Sequence, residues 1–289
     1  MSELASGVFK TPDNDMGVSP SRRVRCDVLG AAIDVIDWSE AIDRIAAWAK
    51  MRQSRMVLLC NVHSVVTARK DPAFAAVIER ADLAAPDGMP VAWELRRKGH
   101  TAQQRIDGPG LMLKCCERAA AEGTPIFLLG STRSTLERLQ AQLLDLFSQL
   151  KIAGSASPSF SPRIARAQEP VLLERVRQSG AGILFVSLGC PKQEQWMARH
   201  VDSLNLVMIG VGAAFDFHAG VVPRAPAWMQ AYGLEWLYRL SRDPRRLWRR
   251  YLLTNSRFIY ENVSERLHRP EQGDQPAEGR DPAAPRGRR

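Results

Sequence analysis

Four short apolar runs punctuate the chain: MVLLCN (56–61), PIFLLG (125–130), GILFVSLG (182–189) and LVMIGVG (206–212). None alternates apolar with polar residues, so each fits a strand covered on both faces, as in a parallel sheet. A fifth and shorter run, DLAAP (82–86), also stops at a turn residue and a glycine. Between the runs the apolar spacing becomes helical. EAIDRIAAWAKM (40–51) brings Ile42, Ile45, Ala46 and Ala49 to one face, with Ser39 placed as its N-cap. Asp71 and Pro72 open DPAFAAVIERA as cap and first helical residue. STLERLQAQLLDLFSQL (134–150) and EPVLLERVRQSG (169–180) are amphipathic as well, the second stopping at Gly180. Further helices are expected from Pro90 and from Pro191. Strand–helix alternation of this kind predicts an α/β fold with a mostly parallel, Rossmann-like sheet flanked by helices.

The pattern changes near Arg224. RAPAWMQAYGLEWLYRLSRDPRRLWRRYLLTNSRFIYENVSERL is helical, aromatic and arginine-rich, with no strand-like run. The expected organisation is an α/β core over 25–223 and a helical appendage over 224–267. Residues 1–24 and 268–289 are polar and poor in large apolar side chains, so they are expected to be disordered ends.

Ligands of parallel α/β sheets bind beyond the carboxyl ends of the strands. Chemistry-bearing residues just after each run are therefore the candidates. Asn61 and His63 follow the first. Asp87 follows DLAAP, where spacing alone leaves two readings: an Asp-Gly turn ahead of a helix, or a reactive carboxylate. Arg105 stands beside the glycine turn of QRIDGPGL. Gly130, Gly189 and the glycines of IGVGAAF end three strands ahead of helices, whose free N–H groups attract phosphate; Lys192 and Gln193 add donors at the second of these turns. None of these turns is a complete GxGxxG or GxxxxGK[ST], and a plain strand-to-helix turn explains each one singly. No DxD occurs in a strand-end loop and no His/Cys ligand spacing occurs, so no metal and no other cofactor is expected.

Composition narrows the partners. The 289-residue chain carries a net charge of +9, with a pI near 9.7. Basic proteins attract nucleic acid, anionic lipid or phosphorylated ligands. The charge is concentrated in RLSRDPRRLWRR, which holds six arginines and one aspartate. Five cysteines without a CxxC pair suit a reducing compartment rather than a disulfide framework. No run is long enough to span a bilayer, so any membrane contact is expected to be peripheral.

Taken together, ARKDPAFAAVIERADLAAPDGMPVAW, RIDGPGLM, FLLGS, SLGCPKQEQWM, GVGAAFDFHAGVVPRAP and GLEWLYRLSRDPRRLWRRYL resemble the WecG/TagA/CpsF family of bacterial glycosyltransferases over about 25–260. The resemblance implies inverting, metal-independent transfer of a sugar from a UDP-sugar to a polyprenyl-diphosphate-linked acceptor at the cytoplasmic membrane face, in exopolysaccharide or other cell-surface polysaccharide synthesis. It puts the catalytic aspartate on Asp87, a sugar contact on Asn61, and Arg105 and Gln193 in the same pocket. It gives Arg224, Arg239, Arg246 and Arg250 of the appendage to the diphosphates, a role suited to the planar guanidinium fork. One departure bears on the donor. The family commonly has Thr-x-Asn at the first strand end, whereas this chain has Leu59-Cys60-Asn61. Without the hydroxyl, glucose is favoured over N-acetylmannosamine or its uronate.

Trp228, Met229, Tyr232, Trp236, Leu237 and Leu240, continued by Trp248, Tyr251 and Leu252, are expected to form an apolar face beside arginines, suited to an anionic membrane surface; docking of these aromatics on the core is the alternative. Two rival functions remain at this stage. A nucleic-acid binder would use the basic appendage but lacks a reader motif and leaves the strand-end glycines without a purpose, so no nucleic-acid partner is expected. A nicotinamide enzyme would need GxGxxG near the first strand. Self-association is left open.

Overall fold

The computed structural model describes residues 23–159 and 161–268. The segments expected to be disordered fall outside this set, except at their inner edges. There Arg23 and Val24 are tied to the core: Arg23 pairs with the buried Asp34 at 2.5 Å, and Val24 O accepts from Val35 N.

Six strands form one sheet. They are β3 (Arg55–Cys60), β4 (Leu83–Pro86), β5 (Ile126–Gly130), β6 (Ile152–Ala156), β7 (Ile183–Ser187) and β8 (Val207–Gly210). Their order is β4-β3-β8-β7-β5-β6 and every neighbouring pair is parallel. All carboxyl ends therefore share one edge. A separate antiparallel hairpin, β1 (Arg25–Val28) and β2 (Ala31–Asp34), lies outside this sheet.

Strand side chains alternate between two cores. Met56, Leu58, Phe127, Leu129, Leu184, Val186 and Met208 enter one. Val57, Leu59, Ile126, Leu128, Ile183, Phe185 and Ile209 enter the other. Because both faces are covered, the strands read as unbroken apolar runs. On the first face lie the hairpin, α2 (Val62–Lys70), α3 (Pro72–Arg80), α4 (Met89–Arg97), α7 (Pro162–Gln178) and α8 (Lys192–His200). On the second lie α1 (Trp38–Lys50), α5 (Gly108–Glu122), α6 (Arg133–Leu146) and α9 (Ala214–His218). Helices thus leave β3 and β7 towards one face and β8 and β5 towards the other, which parts the connections and opens a crevice above the central strands.

Local chemistry corrects several expected boundaries. Asp37, not Ser39, caps α1, accepting from Glu40 N at 2.8 Å; its carboxylate also holds the Ser39 hydroxyl. Asp71 caps α3 as expected. Helix α7 starts at Pro162, about two turns before 169, and keeps Pro170 within it. Helix α8 starts at Lys192, one residue after Pro191.

The appendage carries three helices and, among the described residues, no strand: α10 (Ala227–Ala231), α11 (Glu235–Arg242) and α12 (Pro244–His268). Phe258 of α12 is buried in the first core, and Thr254 and Asn262 are buried on the same side, where α12 packs on α2. Burying a phenylalanine contributes about 2–3 kcal/mol, enough to hold the middle of this helix against the core.

Candidate active site

A cleft of about 1680 Å³ runs along the carboxyl edge of the sheet. Its lining includes Leu59, Asn61, His63, Asp87, Arg105, Gly189, Lys192, Gln193 and Arg239, so residues from five separate segments meet there.

Asn61 ends β3 and caps α2, its Oδ1 accepting from the backbone N–H of His63 at 2.9 Å and of Ser64 at 3.3 Å. The capping fixes the carboxamide at the start of the helix. His63 sits in the first turn of α2. Asp87 follows β4 directly, and its N–H donates to Cys60 O at 2.9 Å, which extends the ladder by one residue. Its carboxylate meets Arg105 Nε at 3.4 Å, while the Arg105 Nη2 donates to Glu235 Oε2 of α11 at 2.8 Å. The three side chains are only 20%, 15% and 12% exposed. Beside them Asp107 caps α5 through Gly110 N and accepts from Arg224 at 2.6 Å.

This setting shifts the charges. Burial pushes the Asp87 carboxyl from its ordinary 3.8 up to about 6; Arg105 pulls it down, and the neighbouring Asp107 and Glu235 push it up. Burial lowers the proton affinity of Arg105, but Asp87, Glu235 and Asp107 more than reverse this, so it stays a cation. A carboxyl that exchanges its proton near neutrality is suited to act as a general base. Asp87 is thus far from an ordinary turn residue in its surroundings.

The glycine turns have different uses. Gly130 does not line the cleft; a Cβ there would fall 2.1 Å from Ser187 O, so only glycine lets β5 lie this close to β7. Ser131 follows at φ +54°, its hydroxyl on Asp216 Oδ1 at 3.0 Å. Gly189 has φ +78° and leads into α8 through Cys190 and Pro191. Gln193 is buried and spans two turns: its Oε1 accepts from Gly212 N at 3.2 Å and its Nε2 donates to Glu194 at 3.0 Å. Lys192 is exposed at the cleft wall.

Of the appendage arginines, Arg224 is held by Asp107, and Arg239 lies 5.5 Å above the Phe217 ring at the cleft. Arg246 and Arg250 fall on α12, but their side chains lie outside the described residues. Glu235 is one of the site residues that sequence reasoning missed, together with Asp107 and the cleft cations Arg138, Arg163 and Arg166. It stands inside the GLEWLYR run, yet its partner is 130 positions away. All five cysteines are free, and no group of three His, Cys, Asp or Glu side chains is gathered for a metal among the described residues.

Fold and site together define a doubly wound α/β protein with a ligand cleft at the strand carboxyl ends and one basic carboxylate on its floor. The chain belongs to the WecG/TagA/CpsF family of glycosyl transferases, whose model matches residues 26–272. The family transfers sugars from UDP-sugars in cell-surface polysaccharide synthesis, with a nucleotide-sugar donor and, in general, a lipid-linked acceptor.

Proposed function

We propose that this protein is an inverting hexosyltransferase, moving glucose from UDP-glucose to a polyprenyl-diphosphate-linked sugar during exopolysaccharide synthesis. The observation that carries the reading is Asp87: a poorly solvated carboxylate with raised proton affinity, at the floor of a cleft beside Asn61. In the reaction an acceptor hydroxyl attacks the anomeric carbon from the face opposite UDP. Asp87 takes the hydroxyl proton, the new C–O bond forms, and the bond to the β-phosphate oxygen breaks with its electrons. Attack from the opposite face inverts the anomeric configuration. One carboxylate suffices, because the departing diphosphate needs charge stabilisation more than a proton.

Cations suited to that charge line the cleft walls. Arg138, Arg163, Arg166 and Lys192 do so with no ion-pair partner among the described residues, and Arg239 does so from the appendage. The mechanism assigns no step to a metal ion or other cofactor. Ordinary ligand pockets hold about 300–1,000 Å³, so this cleft has room for donor and acceptor together. Leu59 supports a donor without an acetamido group to satisfy: it is an aliphatic side chain, 5% exposed, at the position where the family commonly carries threonine.

The same reading places the enzyme peripherally at the inner face of the cell membrane. No helix among the described residues is long and apolar enough to cross a membrane. Yet Trp228, Tyr232, Leu237, Trp248, Leu252 and Leu253 are between 44% and 71% exposed, with Arg242 and Arg245 exposed alongside. Such a surface suits the boundary of an anionic bilayer, and each basic residue there contributes about 1 kcal/mol. The test is a transfer assay with a lipid-diphosphate sugar, a panel of UDP-sugars, and EDTA. The expected result is preferred turnover of UDP-glucose, an inverted product and no effect of chelation. A retained anomer, or activity that needs added metal, would refute the mechanism.

A further inference from the structure

We infer that Glu235 is a positioning residue for the base: carried in by the appendage, it holds the Arg105 guanidinium partly away from Asp87 and so keeps that carboxylate basic. This rests on the reading of Asp87 as the base. The geometry is a chain of three side chains. Arg105 gives Glu235 the close contact, 2.8 Å, and Asp87 the longer one, 3.4 Å. All three are largely buried, so the guanidinium cannot serve both carboxylates through bulk water, and its preference for one weakens its hold on the other.

The charge count agrees. Asp87, Asp107 and Glu235 supply three negative charges, and Arg105 and Arg224 supply two positive ones. Among the described residues, those are the charged groups set around Asp87: Arg105 and Asp107 from the segment leading into α5, Glu235 from α11, and Arg224 through its bond to Asp107. Cys60, which ends β3, is buried with its thiol pushed well above the ordinary range, so it is a neutral neighbour. With one negative charge in excess, the cluster favours a proton on Asp87. Replacing Glu235 by a neutral amide removes a repelling charge. It also frees the guanidinium to turn fully onto Asp87. Both changes lower the proton affinity of the base, so they act in the same direction.

The test is the pH dependence of kcat/KM for Glu235→Gln, Glu235→Asp and Asp87→Asn, with UDP binding as a check on the fold. For Glu235→Gln the acid limb should move down by about one pH unit, and the plateau should fall several-fold because a weaker base accepts the proton less readily. Glu235→Asp keeps the charge and should keep the limb within about 0.3 of a unit while losing turnover. An inactive Asp87→Asn together with an unmoved limb in Glu235→Gln would overturn the role of Glu235. An Asp87→Asn variant with near-normal turnover would instead overturn the base itself. Should Glu235→Gln fail to bind UDP, a limb in Glu235→Asp displaced as far as one full unit would also overturn the proposal, because the charge it retains would then be irrelevant.

Discussion

Asp87 should cost the folded protein stability at neutral pH, and replacing it with asparagine should recover part of that cost. In the unfolded chain the carboxyl releases its proton near 3.8; in the fold it holds the proton to about 6. Between those values the folded state binds more protons than the unfolded state, so stability falls as pH rises. Below 3.8 both states are protonated and the effect vanishes; above about 6 it is complete. A rise of this size corresponds to about 3 kcal/mol. Asparagine has nearly the shape of the protonated acid and no charge to desolvate. Asp87→Asn should therefore be more stable than the native protein at pH 7.5 by up to about 3 kcal/mol, which for a core of this size is several degrees in Tm. The gain should shrink through pH 6 and be gone near pH 4, and transfer activity should be lost at every pH. Urea denaturation at pH 4, 5, 6 and 7.5 measures it directly. A variant that is less stable at pH 7.5, or whose difference is the same at every pH, would show that Asp87 is not held against its solvation preference and would remove the main physical argument for it as the base. Stability sacrificed at a reactive group is a common trade in enzymes.

Other consequences are open to simple measurement. Gly130→Ala should destabilise by more than about 3 kcal/mol, because its Cβ would meet Ser187 O at 2.1 Å; a normal melting temperature would refute the close packing of β5 on β7. Arg224→Ala removes the 2.6 Å contact to the α5 cap, and since the pair is 30% and 16% exposed the expected loss is about 1 kcal/mol, read by chemical denaturation, with a larger proportional loss in transfer; unchanged transfer would count against an appendage role in the site. Leu252→Glu with Leu253→Glu, at side chains 58% and 66% exposed, should abolish sedimentation with anionic vesicles while sparing UDP binding; retained sedimentation would refute the docking surface. Arg246→Ala with Arg250→Ala should weaken activity on the lipid acceptor or vesicle binding, and no change in either would remove both residues from the reading.

What the sequence revealed follows from which elements are covered on both sides. Strands β3, β5, β7 and β8 are buried along nearly their whole length, so selection for apolar residues acts at every position and the run itself is the signal. Strand β6 has no such constraint. Its IAGSA is only half-buried along its length and it sits at the sheet edge next to β5, where small and polar residues serve as well as large ones. The β1–β2 hairpin was hidden for another reason. Its turn puts Leu29 at φ +53° ahead of Gly30 at φ +87°, a geometry usually announced by Asn-Gly or Asp-Gly. The candidate site was legible in so far as its members end strands. Asn61, Asp87 and Gln193 line one cleft, as their positions after apolar runs suggested, whereas Arg105 joins them from the segment between α4 and α5 and ends no strand. Glu235 follows no strand, and only the folding-over of the appendage gives it a partner.

The forces that seat the appendage differ in kind along its length, and that difference bears on the site. Helix α12 is held by burial, with Phe258, Thr254 and Asn262 facing α2, the helix that Asn61 caps. Helix α11, whose Glu235 is shielded by the site, has no fully buried residue. It is placed by the Arg105–Glu235 pair, by Arg239 above Phe217, and by the close approach of Gly233, where a Cβ would lie 2.9 Å from Met89 Cβ. The polar contacts are worth about 1 kcal/mol each at such partly exposed positions, whereas a buried phenylalanine alone contributes about 2–3 kcal/mol. The part of the appendage that reaches the base is thus its weakly held part, and its firmly held part carries the exposed Leu252, Leu253 and Ile259.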